Sequence, residues 1–392
     1  MTTLISFLGR VAPERGSDYS QTRYDFAGTH RQALYFGLAL AEDLRVDRLR
    51  ILGTAGSQWD TLAFEVHNHV DDELMQAVRE DRVTAAHLAG LEDILNQRAE
   101  RHYELRLVPY GYDDAAQIDI LRILSTGFGA KDRICLDVTH ALRHLPMLGL
   151  LSSFYLQAVL GAQVESIYYA AFDRKQDNVT PVVKLDGLLR IYEWLSAMEQ
   201  FNKDGDYGVF GDLLDREGLP GRLLAEAAFY ERSANTSAAR QKLETFARIK
   251  PAASTATGQL FLPELTKRIA WREGRSRAQW EASLAREYLK RRDYVRAVQF
   301  AYESLVTDQV EKTGGNDDDR IVREAADRTL YEAARHQNGR GRHGAFKTLK
   351  DLRNALAHGV RGDQDARIVE LAASESTLQS WLAGTFDTLL VR

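Results

Sequence analysis

An arginine, an asparagine and a histidine in the last tenth of the sequence have a spacing that suits RNA cleavage. They are Arg353, Asn354 and His358. RNA carries its own nucleophile, the 2′-hydroxyl, so a histidine can act as the general acid or base. An arginine can neutralise the charge that develops on the phosphoryl oxygens, and an amide can orient the histidine or a phosphate oxygen. DNA lacks the hydroxyl and should be spared.

The helical period places two of these three side chains on one face of a helix and the third on another. Asn354 and His358 are four residues apart and share one face of a helix. Arg353 lies about 140° around the helix from His358. The arginine must therefore curl back or meet the histidine of a second subunit, which favours a composite site at a dimer interface.

The spacing itself is common, since Arg82 and His87 repeat it. What distinguishes the pair Arg353 and His358 is the adjacent asparagine and the position in an all-helical half of the chain. A structural alternative remains, in which His358 ends a helix and favours its dipole, with Gly359 as the residue after the last turn. Glu303 is either a buried partner of Arg353 or a solvated helix carboxylate.

A second polar set follows three predicted strands in the first half of the chain. Ligands of open parallel sheets bind beyond the carboxyl ends of the strands, and the set has the small, hydroxyl, aromatic and arginine residues of a nucleotide site. Its members are Gly9, Arg10, Thr54, Ser57, Trp59, Asp137, Thr139, His140 and Arg143. Structural alternatives are a helix cap for Asp137 or Thr139 and a core position for Trp59.

The elements that position the second set alternate between short apolar strands and longer helices. The strands are predicted over Thr3–Leu8, Leu49–Gly53, Glu104–Pro109, Arg133–Val138 and Glu165–Ala171. The helices are predicted over Arg31–Leu44, Thr61–Val78, Ala115–Thr126 and Leu142–Val159. This alternation predicts a parallel sheet covered on both faces, as in a Rossmann-like α/β domain.

The strand pattern stops at residue 186. We predict a Rossmann-like domain over residues 1–185, a helical coupling region over 186–280 and an all-α domain over 281–392. In the last of these, an apolar stripe repeats with helical spacing along Tyr294, Val298, Ala301 and Leu305. Residues 337–344 are predicted to form a basic loop that could hold RNA.

Composition excludes several classes of protein. The net charge of −5 argues against a protein that coats nucleic acid through a general positive field, and one cysteine excludes a disulfide framework. No apolar run is long enough to span a membrane and no secretion signal is seen, so we expect a cytoplasmic protein. The phosphate-binding glycine patterns of NAD enzymes and P-loop proteins are missing from the sequence.

Both sets of residues resemble one family. The segment Ile5–Gly9, then Thr54, Ser57 and Trp59, then Asp137, Thr139 and His140 with Arg143 and Pro146, is similar to CRISPR-associated Rossmann fold (CARF) domains. The pair Arg353 and His358 resembles the R-x4-6-H motif of HEPN ribonucleases. Together they resemble the CARF–HEPN proteins of type III CRISPR systems, which carry a D-x-T-H-G signature.

The resemblance implies a function. A homodimer, or a higher multiple of dimers, would bind cyclic oligoadenylate through the nine residues of the second set and cut single-stranded RNA without a metal or other cofactor. Cyclic tetra-adenylate is the expected ring, although the residues do not fix the ring size. One departure is Ala141, which stands where the family has glycine and could narrow the approach to a phosphate.

Three other functions remain open at this point. The chain could be a non-catalytic regulator that senses a nucleotide, or a ring nuclease that degrades cyclic oligoadenylate in its N-terminal domain. A nicotinamide-dependent enzyme is disfavoured by the missing glycine pattern.

Overall fold

A computed structural model describes residues 1–10, 21–68, 71–97, 100–140, 142, 144–249, 255–336, 341–362 and 365–391, without the side chains of 335, 336 and 341–343. The chain forms two compact units, Met1–Tyr192 and Glu193–Arg392. The predicted coupling region therefore lies mainly in the same unit as the predicted C-terminal domain.

The first unit contains one eight-stranded sheet. Its strands are β1 (Thr2–Phe7), β2 (Thr22–Phe26), β3 (Thr29–Ala33), β4 (Arg48–Gly53), β5 (His102–Leu107), β6 (Arg133–Asp137), β7 (Gln163–Ala170) and β8 (Val179–Lys184). Their order is β3-β2-β8-β7-β6-β1-β4-β5. The five strands from β7 to β5 are parallel, and β8, β2 and β3 extend the sheet with mixed pairing. The α/β fold class is thereby confirmed.

Helices cover both faces of this sheet. They are α1 (Phe36–Leu44), α2 (Trp59–His67), α3 (Asp72–Arg79), α4 (Ala85–Asn96), α5 (Asp114–Ser125) and α6 (His144–Ala158). Leu4 and Ile5, adjacent in β1, belong to two different buried clusters, because successive side chains of a strand point to opposite faces. Burial on both faces explains why the central strands are almost continuously apolar.

A buried ion pair fixes the edge of the sheet. Arg50 of β4 lies 2.6 Å from Glu104 of β5 and donates to the carbonyl oxygens of Leu124 and Thr126, each at 2.8 Å. The guanidinium thus neutralises one carboxylate and satisfies carbonyl groups at the end of α5, which compensates for its burial.

The helix predictions needed two corrections in this unit. Residues 31–33 belong to β3, so the helix predicted from Arg31 begins at Phe36. The helix predicted over 61–78 is two helices, because Asn68 ends α2 in the left-handed conformation with φ 51°. Asparagine tolerates this conformation better than most residues.

The second unit is helical. After α7 (Asp186–Asp204) it contains α8 (Gly211–Arg216), α9 (Gly221–Arg232), α10 (Thr236–Arg248), α11 (Ala256–Arg268), α12 (Arg277–Lys290), α13 (Tyr294–Lys312), α14 (Arg320–His336), α15 (Gly341–His358), α16 (Ala366–Ala372) and α17 (Glu375–Leu389). The predicted stripe on α13 is confirmed, with Val298, Ala301 and Leu305 buried. Within the described chain, no helix combines the length and apolarity needed to cross a bilayer.

The predicted basic loop is wrong in its second half. Residues 341–344 form the first turn of α15, and residues 337–340 lie outside the described residues. α15 packs against α13, α14, α16 and α17. This helix carries the arginine, asparagine and histidine that the sequence singled out.

Candidate functional site

The sheet brings the first two predicted ligand segments and Asp137 to one edge. β1 lies between β4 and β6, and β4 and β6 are reached from β1 in opposite directions. The point where strand order reverses is the place at which open parallel sheets bind ligands. The residues after β1, β4 and β6 therefore share the position expected of a nucleotide site.

Asp137 holds β6 to its neighbours. Its carboxylate accepts a hydrogen bond from the Ser6 hydroxyl at 2.5 Å and one from the Thr139 backbone N–H at 2.8 Å. The Ser6 hydroxyl also shares a hydrogen bond with the Tyr35 hydroxyl, which lies 3.2 Å from the Phe7 carbonyl oxygen. Burial raises the pKa of Asp137 to about 6, although these hydrogen bonds oppose the shift. Asp137 is therefore a buried carboxylate that fixes the ends of β1 and β6 relative to each other, and it is not exposed to a ligand.

Thr139 is also engaged within the fold. Its hydroxyl accepts a hydrogen bond from the Ala170 N–H at 2.9 Å, which ties the segment after β6 to β7. The helix that follows begins at His144. Asp137 and Thr139 thus secure the turn after β6 rather than the start of α6, which was the alternative that the sequence offered.

The loop after β4 is held by its own side chains. The Ser57 hydroxyl accepts from the Thr54 N–H and donates to the Leu8 carbonyl, both at 2.9 Å. The indole N–H of Trp59 donates to the Thr54 carbonyl at 2.9 Å. Trp59 has 0% exposure and belongs to the core, so its ring presents no face to a base. Its core alternative is what the structure favours.

His140 lies half-buried between two rings. The ring centroids of Tyr35 and Phe172 are 5.8 and 5.6 Å from its imidazole. Burial lowers the pKa of His140 to about 4, so the ring is neutral near neutral pH. A neutral imidazole can exchange hydrogen bonds with a ligand but contributes no charge to phosphate binding.

Of the two arginines among the predicted ligand residues, Arg10 is the one that the structure describes. Its guanidinium lies 3.3 Å from Asp81 and 3.4 Å from the Tyr110 hydroxyl. The backbone carbonyl of the neighbouring Gly9 accepts from the Gln58 N–H, which joins the β1 end to the β4 loop. Arg143 and Ala141 lie outside the described residues.

Sequence reasoning missed a pair of aromatic residues at the same edge. Tyr110 and Tyr112 follow β5, and their rings are stacked with centroids 5.6 Å apart and planes 12° apart. A tyrosine pair directly after a predicted strand was the available signal. It is weaker than the signal at the other strand ends, because those carry clusters of polar residues.

The second site lies at the end of α15. Asn354 and His358 line one open cavity of about 630 Å³, together with Lys347, Asp351 and Arg361. The predicted common face of Asn354 and His358 is confirmed. The helix ends at His358, and Gly359 has φ +86°. The helix-end role that the sequence left open therefore holds alongside any role in chemistry.

Arg353 lies beside this cavity rather than in its lining. Its guanidinium carbon is 4.6 Å from the ring centroid of Tyr302, and its Nη1 donates to Asn354 Oδ1 at 2.9 Å. Its Nε is buried, with no hydrogen-bond partner in the part of the chain that the structure describes. A buried donor of this kind is rare enough in folded proteins to need an explanation.

Neighbouring charged side chains hold Tyr302 in place, and Glu303 is paired with a residue other than Arg353. The Tyr302 hydroxyl donates to Asp327 at 2.8 Å, and Lys350 lies 2.6 Å from the same carboxylate. Glu303 pairs with Arg323 at 2.6 Å, so its carboxylate is neither a partner of Arg353 nor simply solvated. Arg353 is thereby held by an aromatic face and an amide instead of a carboxylate.

The second pair with the same spacing is structural. His87 Nδ1 accepts from the Thr84 N–H at 3.0 Å as part of the N-cap of α4, and Arg82 pairs with Glu80. In the described residues, no group of three or more His, Cys, Asp and Glu side chains is arranged to hold a metal ion.

Comparisons with known proteins agree with the fold of the first unit. The family model for the CARF domain of the CRISPR system endoribonuclease Csx1 matches residues 3–173. The CRISPR-associated protein MJ1674 of Methanocaldococcus jannaschii is 25% identical over 202 residues, covering 45% of this chain and 32% of that protein. The match thus spans about a third of that relative.

Among solved structures, Enterococcus italicus Csm6 bound to cyclic hexa-2′-fluoro-hexa-dAMP is similar to the whole chain. The alignment covers 100% of this chain and 95% of that one, with 13% identity and a TM-score of 0.35. The family match thus indicates a CARF-type domain over residues 3–173 of this chain.

Proposed function

We propose that this protein is an endoribonuclease of type III CRISPR antiviral defence that cyclic oligoadenylate activates. The N-terminal unit would bind the ring, and the HEPN-like helical unit would cut single-stranded RNA. The observation that carries the proposal is the shared cavity of Asn354 and His358, with Arg353 hydrogen-bonded to the asparagine. The match of residues 3–173 to the CARF domain supports the sensing half.

Cleavage would proceed by transfer of the phosphoryl group to the 2′-hydroxyl. A base removes the hydroxyl proton, the 2′-oxygen bonds to phosphorus, and the 5′-oxygen of the next nucleotide leaves with a proton from an acid. The products are a 2′,3′-cyclic phosphate and a 5′-hydroxyl. No metal is required, because the nucleophile comes from the RNA and histidine can transfer both protons in turn.

His358 is the proposed proton-transfer group. It is exposed at the end of α15 and lines the cavity, so a phosphodiester can approach its imidazole. One chain offers one such histidine in the cavity. A homodimer would supply a second, so that one imidazole acts as base while the other acts as acid.

Arg353 is the proposed group that neutralises charge on phosphorus-bound oxygens. Its contact with Asn354 points one arm of the guanidinium toward the cavity side of the helix. Its buried Nε donor would gain an acceptor if the side chain moved onto a phosphate. Lys347, 2.8 Å from Asp351, is a point charge without the planar fork of arginine, so Arg353 is the better candidate for this task.

The test is cleavage of a labelled single-stranded RNA by wild type, Asn354→Ala and His358→Ala in the presence of EDTA and a cyclic oligoadenylate. We expect His358→Ala to lower kcat by about 10²- to 10⁴-fold. Arg82→Ala is the matched control, because Arg82 has the same spacing to a histidine but lies on an exposed surface. A 2′-deoxy nucleotide at the cleaved position should abolish cutting there.

Retained cleavage in His358→Ala, or cleavage of the 2′-deoxy substrate, would contradict this mechanism. Tight ring binding without any cleavage by wild type would instead favour the non-catalytic regulator.

A further inference from the structure

An exposed aromatic surface stands at the sensor edge of the first unit. Tyr112 is 77% exposed, the largest exposure among the large hydrophobic and aromatic side chains of the described chain, and is shared by Ile321 alone. Its ring stacks on that of Tyr110 and contacts the His144 imidazole, with ring centroids 5.9 Å apart. A tyrosine ring that is this exposed, beside the edge where open parallel sheets bind ligands, is available to stack on a ligand.

Two hydrogen bonds fix Tyr110, which therefore holds Tyr112 in place. Its hydroxyl donates to the Asp81 carboxylate, and its backbone carbonyl accepts from His144 Nε2 at 2.6 Å. Gly111 between the two tyrosines has φ +72°, a conformation that a side chain would strain. The stacked pair is thus a preorganised surface rather than a loose loop end.

A cation lies next to this surface. Arg10, with 36% of its side chain exposed, is 3.4 Å from the Tyr110 hydroxyl and 3.3 Å from Asp81. A ring face beside a guanidinium matches the two parts of a nucleotide, since bases stack on aromatic side chains and arginine binds phosphate. The rings of Trp59 and His140 are less suited to stacking, because the first is fully buried and the second lies between Tyr35 and Phe172.

We propose that Tyr112 stacks on an adenine base of the cyclic oligoadenylate while Arg10 contacts a phosphate of the ring, with Tyr110 as the residue that positions Tyr112. This assignment rests on the proposed function and identifies the base-binding part of the same sensor. The position is distinct from the polar network around Asp137, so the two regions contact different parts of the ligand.

The experiment is a titration of the full chain with fluorescently labelled cyclic tetra-adenylate and cyclic hexa-adenylate. Tyr112→Ala should lower the affinity for the cyclic oligoadenylate that wild type binds by about 5- to 150-fold, the range measured when base–aromatic stacking is lost. Tyr112→Phe and Tyr112→Trp keep a ring face and should bind within about 2-fold of wild type. Phe229→Ala, which removes an exposed aromatic ring from the second unit, is the matched control and should bind like wild type.

Each outcome separates the proposals. If wild type binds neither ring, the sensing function itself is wrong. If wild type binds and Tyr112→Ala binds equally well, the sensor stands and the stacking assignment is wrong. Equal losses in Tyr112→Ala and Tyr112→Phe would also overturn it, because they would assign the effect to the hydroxyl. So would a loss of binding that follows a change in oligomeric state, measured by light scattering.

Discussion

Arg353 and Asn354, neighbours in the sequence, are also joined through their side chains, with Nη1 of the arginine donating to Oδ1 of the asparagine across 2.9 Å. The helical period turns Arg353 away from His358. The asparagine, which shares the cavity with His358, brings the guanidinium to the edge of that cavity. The hydrogen bond to Asn354 thus offsets the angular separation between Arg353 and His358 on the helix.

Replacing Arg353 by lysine tests whether the planar guanidinium matters. Lysine retains the charge but lacks the fork that binds a phosphoryl group through two hydrogen bonds. We expect Arg353→Lys to lower kcat for RNA cleavage by about 10- to 100-fold while the unfolding temperature changes little. Arg82→Lys serves as the control. Wild-type turnover by Arg353→Lys would show that charge alone suffices.

The contact between Arg353 and Asn354 predicts energetic coupling between them. We expect the losses in transition-state stabilisation for Arg353→Ala and Asn354→Ala to be non-additive in the double variant, with a coupling energy of about 0.5–3 kcal/mol. A double-mutant cycle on kcat/KM measures this. Additive losses would mean that the hydrogen bond has no part in catalysis.

Asp137 predicts a specific pH dependence of stability. Because its folded-state pKa is raised to about 6 from 3.8, its contribution to stability is fully present below about pH 4 and is lost as pH rises through 6. The side chain introduced by Asp137→Asn is neutral throughout, and its amide can donate to Ser6, whose hydroxyl can then donate to Tyr35. Relative to wild type, Asp137→Asn should therefore gain about 1–3 kcal/mol of unfolding free energy between pH 4.5 and pH 8.

Thermal or denaturant unfolding at several pH values measures that gain, and the comparison of variant with wild type cancels other titrating groups such as His140. A difference between the two proteins that does not change with pH would show that Asp137 keeps an ordinary pKa.

Trp59 separates a core role from direct ligand stacking. Trp59→Ala should lower the free energy of unfolding by about 3–5 kcal/mol, as expected for loss of a large buried ring. Trp59→Phe loses the hydrogen bond to the Thr54 carbonyl and should lower the free energy of unfolding by about 1–2 kcal/mol. Because that hydrogen bond holds the loop after β4, we also expect weaker binding of cyclic oligoadenylate. If Trp59→Phe kept its stability but no longer bound cyclic oligoadenylate, Trp59 would instead contact the ligand directly.

The sequence predicted the strands that are buried on both faces and missed those at the extended end of the sheet. β1, β4, β5, β6 and β7 are short apolar runs, which periodicity identifies. β3 carries exposed polar residues such as Thr29 and His30, and β8 contains Pro181. Polar composition and proline both disfavour a strand prediction, and only pairing with neighbouring strands stabilises these segments.

The site residues divide in the same way. The common face of Asn354 and His358 follows from the helical period, and the meeting of the segments after β1, β4 and β6 follows from parallel topology. The position of Arg353 over Tyr302 depends on the packing of α15 against α13, which no local pattern encodes. Likewise, the burial of Trp59 and the exposure of Tyr112 are properties of the folded core.

The most direct test is whether a ligand of the first unit activates RNA cleavage by the second. Cleavage of a fluorescent single-stranded RNA would be followed for wild type and His358→Ala, with and without cyclic tetra-adenylate or cyclic hexa-adenylate. We expect cleavage by wild type that increases strongly with one of the two cyclic oligoadenylates and vanishes in His358→Ala. Cleavage by wild type that is independent of every ring, or undiminished in His358→Ala, would contradict this expectation.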